Sequence, residues 1–372
     1  MPHLFEPLSL GKLQLPNRLL MAPMTRSRAS VDGVVTDLTA EYYRQRAGAG
    51  LIISESIQPS VIGQGYILTP GLHTSDQVEG WRGVTDAVHG AGGRIFAQLT
   101  HTGRIGHPRL YPHGGLPVAP SPVASGEQLF SLDGMLDHPV PREMTTDDIR
   151  TTVDDFARAA RNAIDAGFDG VELHGANGYL IHQFLADNTN LRTDAYGGSV
   201  GNRIRFAVEV VTAVVDVIGA DRTGIRISPG SPFNHIEETD PAPVYLGLLA
   251  ALADHHLAYV HLVEVGDRDL TRQLRAAWPG TLLLNPHATP DAFPASADAA
   301  VEAVESGVAD GAALATLWLA NPDLDARIRA GGPFNTADPA TFYGGDHTGY
   351  TDYPALAPSL DPAAAEPARL PS

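Results

Sequence analysis

Three polar side chains within six positions, His174, Asn177 and Tyr179, carry the clearest chemical potential of this 372-residue chain. A histidine and an asparagine three residues apart can both donate hydrogen bonds to one ligand atom. Two donors aimed at a carbonyl oxygen stabilise negative charge that develops there. The Tyr179 hydroxyl, with an ordinary pKa near ~10, is a poor base at neutral pH but a usable proton donor. Loop packing or an internally satisfied histidine would explain any one of them alone, whereas the three together favour a carbonyl-binding site.

Two further polar side chains interrupt apolar segments. Arg226 stands within Gly-Ile-Arg-Ile-Ser, where a charge needs either an internal partner or a ligand. An internal ion pair with Glu172 or Glu264 is the alternative to ligand binding. Gln98 likewise lies in an apolar run that has no need of an amide. Both residues are therefore candidates for ligand contact.

Short apolar segments alternate with amphipathic, helix-like segments along the chain. The predicted strands are Leu19–Met21, Leu51–Ser54, Arg94–Leu99, Gly170–His174, Gly224–Ser228, Tyr259–Val263, Thr281–Leu284 and Ala312–Ala315. The predicted helices are Thr39–Ala47, Ser75–Ala91, Thr146–Ala166, Arg203–Ile218, Pro243–His255, Leu270–Ala277, Asp298–Glu305 and Asp323–Ala330. Eight successive β–α units without an intervening antiparallel hairpin predict a parallel sheet, and eight is the number that closes into a (β/α)₈ TIM barrel. An open, doubly wound sheet is the alternative, but no Gly-x-Gly-x-x-Gly follows the first strand.

The predicted barrel brings the candidate residues to one face, because catalysis in this fold occurs where the strands end and the βα-loops begin. We expect one domain over residues 1–355. The segment His101–Glu143, rich in Pro and Gly, is long enough to be a cap over that face. Residues 356–372 form a Pro-rich tail that we expect to be extended or loose.

Composition excludes several classes of function. The net charge of −18 disfavours nucleic acid as a partner, and no apolar run approaches the roughly 18 residues of a membrane span. The chain contains no cysteine, so disulfides and thiolate metal ligands are excluded, and no metal site is expected. The first residues lack the layout of a secretory signal, and a cytoplasmic enzyme acting on a small molecule is expected.

Longer motifs surround these residues, and together they resemble the Old Yellow Enzyme family over roughly residues 3–355. In the first half they are Asn17-Arg18, Met21-Ala-Pro-Met-Thr-Arg26, Gln98-Leu99, His101-Thr-Gly-Arg104, His174-Gly-Ala-Asn-Gly-Tyr-Leu180, Gln183-Phe-Leu185, Tyr196-Gly-Gly-Ser199 and Asn202-Arg203. In the second half they are Arg226-Ile-Ser-Pro229, Ala320-Asn-Pro-Asp-Leu324, Phe342-Tyr-Gly-Gly345 and Tyr350-Thr-Asp-Tyr-Pro354.

The resemblance implies an FMN-dependent ene-reductase in which NAD(P)H reduces the flavin and an α,β-unsaturated carbonyl compound is then reduced. It implies flavin contacts from Pro23, Met24 and Thr25, and from Gln98 and Arg226 at the pyrimidine end. His174 and Asn177 would bind the substrate carbonyl, and Tyr179 would protonate the α-carbon. Phe233 and Tyr343 would line the pocket, and a homodimer is possible within the family.

The chain departs from the family pattern at three places. Thr100 stands where classical members carry a bulky aromatic side chain, so a wider pocket is expected. After the seventh strand the chain has Asn285-Pro286-His287 in place of a Gly-Gly pair, and after the eighth it has Ala315-Thr316 in place of Gly-Arg. Pro286 has no N–H to donate, and the Thr316 hydroxyl replaces a guanidinium.

These departures predict weak retention of the FMN phosphate, although helix N-terminal amides with Thr316 and His287 could still hold it. The alternative function is a barrel that has lost tight FMN binding. It would use its donors for a non-redox acid–base reaction, such as an isomerisation, dehydration or cyclisation. A binding protein without turnover is a third possibility.

Overall fold

A closed barrel of eight parallel strands forms the centre of the computed structural model, which describes residues 3–131, 134–289 and 291–356. The strands are β1 (Leu19–Met21), β2 (Ile52–Ile57), β3 (Ile95–Leu99), β4 (Gly170–Gly175), β5 (Thr223–Ile227), β6 (Tyr259–Val263), β7 (Leu282–Asn285) and β8 (Gly311–Leu314). Each strand pairs with its neighbours in parallel, and β8 closes onto β1. The predicted TIM barrel is confirmed, and the open sheet is excluded.

A helix follows each strand. These helices are α1 (Asp37–Gln45), α2 (Ser75–Gly90), α3 (Thr146–Asp165), α4 (Arg205–Ile218), α5 (Pro241–Leu252), α6 (Arg268–Ala277), α7 (Ala297–Glu305) and α8 (Leu324–Ala330). Shorter helices lie at Leu180–Leu185, Val200–Arg203 and Thr316–Ala320. None of the helices in the described ranges is long and apolar enough to cross a membrane.

Local chemistry explains the ends of α3. Thr145 accepts a hydrogen bond from the Asp148 backbone N–H, and the Asp148 side chain accepts one from the Thr145 N–H, which completes a capping box. Asp147 and Asp148 also place negative charge in the first turn, where the helix dipole favours it. Gly167 has φ +92°, a conformation that suits glycine after the last helical residue. The predicted start at Thr146 is confirmed, and the last helical residue is Asp165, one before the predicted end at Ala166.

Side chains alternate along the strands, so every second residue enters the barrel. At the N-terminal end the interior is apolar, with Leu20, Ile53, Phe96 and Leu283 in one buried cluster. An antiparallel hairpin of Leu8–Leu10 and Leu13–Leu15 packs against this cluster. Further along the same strands the inward side chains become polar. The change from apolar to polar interior marks the end of the barrel that binds ligands.

The segment His101–Glu143, inside the third β–α unit, contains two short strand pairs that were not among the predicted elements. Gln128–Ser131 pairs antiparallel with Gly134–Asp137, while the pair Val118–Ala119 and Arg142–Glu143 is parallel. Both pairs lie outside the barrel, so they leave the parallel sheet intact. Apart from Leu356, the predicted tail 356–372 lies outside the described residues.

Candidate active site

A cavity of about 560 Å³ opens at the C-terminal ends of the strands. It is large enough for a cofactor or a small-molecule ligand. All but one of the predicted site residues line it. They are Pro23, Met24, Thr25, Gln98, His174, Asn177, Tyr179, Arg226, Phe233, Thr316 and Tyr343. The barrel therefore brings together residues that are nearly 320 positions apart in the chain.

Thr100 is the exception, and the expectation that it forms a wall of this pocket needs correction. It is buried and lies on a separate cavity of about 10 Å³, together with Ser56, Tyr66 and Tyr179. Tyr66, from the loop between β2 and α2, lines both cavities. A small residue at position 100 therefore makes room beside Tyr66 and Tyr179, and does not widen the main pocket. Sequence reasoning missed Tyr66 entirely.

A sharp turn after β4 presents the three predicted donors. Asn177 has φ +55°, which asparagine tolerates better than most residues, and its backbone N–H donates to Ser228 Oγ at 2.8 Å. Gly178 has φ +74°, and a Cβ there would lie 2.6 Å from the Phe233 carbonyl oxygen. Only glycine fits that position without a shift of the neighbouring backbone. The turn is thus built to hold Asn177 and Tyr179 on either side of a glycine.

A buried cluster supports the turn from below. His182 Nδ1 accepts the Gly178 backbone N–H at 3.0 Å. The opposite ring nitrogen is therefore free to donate, and it lies 3.1 Å from Tyr245 Oη and 3.6 Å from Glu238 Oε2. His182 and Tyr245 have no exposed surface. This cluster fixes the turn without reaching the pocket.

Tyr179 contacts Tyr66 and His174 at the cavity. Its hydroxyl lies 3.0 Å from the Tyr66 hydroxyl, and its ring meets the His174 ring edge-on with centroids 5.1 Å apart. Burial raises the pKa of Tyr179 above its ordinary value, although its hydrogen bond with Tyr66 opposes this shift. Tyr179 therefore stays protonated through the neutral and mildly alkaline range.

The environment of His174 favours the neutral imidazole. Burial lowers the pKa of His174 well below its ordinary value, and the charges of Arg226 and His261 lower it further. Its Nδ1 is buried and has no hydrogen-bond partner among the described residues. A neutral imidazole carries one N–H, which can donate to a ligand oxygen without adding charge. The reading of His174 as an internally satisfied histidine is not supported.

A layer of polar side chains crosses the barrel beneath the cavity. Gln98 Nε2 donates to Glu172 Oε1 at 2.8 Å, and Gln98 Oε1 accepts from Ser56 Oγ at 3.0 Å. The other Glu172 oxygen lies 2.8 Å from His261 Nδ1. His261 has no exposed surface, and sequence reasoning missed it although a histidine within an apolar strand is the same signal that identified Arg226. The layer orients Gln98 towards the cavity.

Arg226 does not form the internal ion pair with Glu172 or Glu264 that was the alternative to ligand binding. Its Nη2 donates to Asn285 Oδ1 at 3.3 Å, and its Nε is buried without a hydrogen-bond partner among the described residues. Glu172 is occupied by Gln98 and His261, and Glu264 is paired with Arg268. Burial lowers the pKa of Arg226, with the Glu172 charge acting in the opposite sense. A buried guanidinium with unused donors facing a cavity is suited to an anionic or strongly polar ligand edge.

The mouth of the cavity is apolar. Phe130 and Met135, from the hairpin that sequence reasoning missed, line it together with Phe233 and Tyr343. These four side chains are all more than half exposed. An exposed apolar rim around a polar floor is typical of a site for a largely apolar small molecule.

The loops after β7 and β8 lie at another side of the cavity. Ala315 and Thr316 line the cavity, and both are partly buried. Asn285 is buried at the end of β7, and His287 stacks on Phe293 with ring centroids 3.6 Å apart. No group of His, Cys, Asp and Glu suited to a metal ion occurs within residues 3–131, 134–289 and 291–356.

Comparison with known proteins gives consistent results. The family described as NADH:flavin oxidoreductase / NADH oxidase matches residues 3–335. 12-Oxophytodienoate reductase 1 of Oryza sativa subsp. japonica is 41% identical over 365 residues, covering 95% of this chain and 93% of the relative. The "Probable flavin mononucleotide-dependent alkene reductase" of Leishmania infantum is 43% identical over 366 residues, covering 95% and 97%. The structure of an old yellow enzyme homologue from Zymomonas mobilis superposes with a TM-score of 0.90 at 40% identity, covering 95% and 100%.

Proposed function

Because this chain belongs to the NADH:flavin oxidoreductase / NADH oxidase family, we propose that it reduces the activated C=C bond of an α,β-unsaturated carbonyl compound. The chain is an NAD(P)H-dependent flavin oxidoreductase of the Old Yellow Enzyme family, with FMN as its cofactor. These relatives favour redox chemistry over the non-redox alternative and over a binding protein without turnover. The observation that carries the proposal is the convergence of His174, Asn177 and Tyr179 with Gln98 and Arg226 on one cavity.

The residues on the floor of the cavity fit the ring of a flavin. Arg226 Nε and His174 Nδ1 are buried donors or acceptors that lack a partner among the described residues, and Gln98 keeps one N–H to spare. Thr25, Gln98 and Arg226 would contact the ring edge, with Pro23 and Met24 beside it. When bound, FMN supplies the two-electron chemistry by which NAD(P)H reduces an activated alkene.

The side chains after β4 would act on the substrate. Asn177 and the neutral imidazole of His174 would donate hydrogen bonds to its carbonyl oxygen, which polarises the conjugated C=C bond and stabilises charge on that oxygen. Tyr179 Oη would then deliver a proton to the α-carbon, with Tyr66 Oη 3.0 Å away to take part in replacing it. The apolar rim of Phe130, Met135 and Phe233 favours an alkene with a sizeable hydrocarbon body.

Stopped-flow absorption of the FMN-loaded protein tests this function. NADPH or NADH should bleach the flavin without oxygen, and 2-cyclohexen-1-one should restore its absorption with formation of the saturated ketone. A flavin that NAD(P)H reduces but no enone reoxidises would contradict the proposed substrate class. The cap over residues 101–143, the cytoplasmic location and the homodimer stay predictions.

A further inference from the structure

In barrels that bind phosphate, the loops after the seventh and eighth strands form the site. In this chain these loops contain Pro286 and His287 after β7, and Ala315 and Thr316 after β8. Ala315 and Thr316 line the cavity, so a flavin seated on the polar floor would extend its side chain towards them. The hydrogen-bond donors and charges on this side of the cavity decide whether the protein recognises the phosphate of the flavin.

Residues 286 and 287 of the β7 loop offer a ligand no backbone N–H. Pro286 has no backbone N–H, and the His287 N–H donates to Glu264 Oε2 at 3.0 Å. His287 Nδ1 lies 3.2 Å from the Glu264 carbonyl oxygen, so it carries the proton of a neutral ring, and burial lowers the pKa of His287. The ring also stacks on Phe293 at an interplanar angle of 7°. His287 therefore supplies no positive charge.

The amide of Asn285 is also occupied. Its Nδ2 donates to the Ala313 carbonyl oxygen at 2.8 Å, and its Oδ1 accepts from Arg226 Nη2 at 3.3 Å. The Thr316 hydroxyl is a neutral donor, roughly half as strong towards an anion as a charged one. This side of the cavity thus offers neutral groups where a phosphate favours cations.

The guanidinium groups nearby are committed elsewhere. Arg46 is buried and donates to the carbonyl oxygens of Trp318 and Leu319, behind the short helix that follows β8. Arg268 makes a two-bond pair with Glu264 and also reaches Glu302. Within the described ranges, Arg226 is the only Arg or Lys that lines the cavity, and it stands on β5, three strands from β8.

We propose that this protein recognises its flavin through the ring and not through the phosphate, so that it binds riboflavin nearly as tightly as FMN. The inference rests on the proposed function and deepens it. A charge-assisted phosphate contact is worth roughly ten- to a hundred-fold in affinity. Without one, the Kd values of riboflavin and FMN should differ by less than about tenfold.

Titration of the flavin-free protein with each flavin, followed by flavin fluorescence, tests the proposal. Thr316→Arg places a guanidinium beside the cavity, and should tighten FMN by roughly ten- to a hundred-fold while changing riboflavin by less than about threefold. Thr316→Gln is the matched control, because it adds length and hydrogen-bonding capacity without charge, and should favour neither flavin. FMN binding by the wild type should also be nearly independent of salt, whereas binding by the Thr316→Arg variant should weaken as salt screens the new charge.

Each outcome decides between distinct conclusions. Preference of the wild type for FMN by more than about tenfold, or equal tightening of both flavins in Thr316→Arg, overturns the proposal and leaves the proposed function intact. If neither flavin binds the folded wild type, the proposed function itself fails. If Thr316→Arg does not fold, the ratio of the two wild-type Kd values and their salt dependence decide the question.

Discussion

Replacing Tyr179 by phenylalanine removes one oxygen and with it the proton donor that we propose for enone reduction. General acid catalysis by a positioned side chain contributes about 10²- to 10⁴-fold to a rate. The Tyr66 hydroxyl lies 3.0 Å from the lost one and remains in the cavity wall, so relay of a proton through water keeps the loss near the lower end. We expect enone reduction to slow about 10²-fold in Tyr179→Phe.

The assay separates the two halves of the reaction. In stopped-flow experiments, flavin reduction by NADPH should stay within about twofold of wild type in Tyr179→Phe, since the hydroxyl takes no part in it. Tyr66→Phe should slow enone reduction by about 2- to 13-fold, the equivalent of one neutral hydrogen bond. Tyr343→Phe is the matched control, because this exposed tyrosine lines the same cavity and should behave as wild type.

Two results would refute the assignment of Tyr179. Enone reduction at an unchanged rate in Tyr179→Phe would mean that solvent or another group provides the proton. If flavin reduction and enone reduction slowed equally, the substitution would have distorted the cavity and would not simply have removed a proton donor. Because burial raises the pKa of Tyr179, the wild-type enone rate should also not fall between about pH 7 and pH 9 through loss of this proton.

Three more perturbations have outcomes that follow from the contacts of single residues. Thr100→Trp must displace Tyr66 or Tyr179, so we expect about 1–3 kcal/mol of destabilisation in urea unfolding and slower reduction of small and bulky enones alike. Arg226→Met should weaken riboflavin and FMN equally, by roughly ten- to a hundred-fold in fluorescence titrations, since its guanidinium lines the part of the cavity where we propose the flavin ring. Burial raises the pKa of Glu55 to about 7 from its ordinary 4.5. As the pH rises from 4.5 to 7, Glu55 ionises in the unfolded state before it ionises in the folded state, so the free energy of unfolding falls. The free energy of unfolding of Glu55→Gln, measured with denaturant, should therefore rise by up to roughly 3 kcal/mol relative to that of the wild type between pH 5 and pH 8. Parallel pH profiles of the two proteins would contradict this.

The barrel could be predicted because its signals are local. Each strand is a short apolar run, and each helix has its own amphipathic pattern and caps, as α3 shows with Thr145 and Gly167. The hairpin Gln128–Ser131 and Gly134–Asp137 gives a weaker signal. Both of its strands are only four residues long. The second strand is largely exposed, so this strand lacks the alternation of buried and exposed residues that identifies a strand.

The partners within the site could not be predicted, because they depend on the register between strands. Glu172 on β4 lies directly beside Gln98 on β3, and Arg226 on β5 lies beside His174 and His261. A shift of two residues would have placed Glu172 beside Arg226 and formed the ion pair considered from sequence. Tyr66 escaped notice for a related reason: it lies on a loop whose path is set by packing against distant residues and leaves no periodic pattern.

Two polar atoms on the floor of the cavity have no hydrogen-bond partner among the described residues. Burying a polar group without a partner costs about 1–3 kcal/mol, and more for a charge, so a ligand that supplies the partner gains binding energy from such a group. On the floor of the cavity, Arg226 Nε and His174 Nδ1 are left in that state. On the β7 side, Glu264 accepts the His287 backbone N–H and pairs with Arg268, so these groups are already satisfied within the protein. If binding energy comes from the unsatisfied groups, the ring end must supply most of it, and substitutions on the floor should weaken flavin binding far more than substitutions in the loops after β7 and β8.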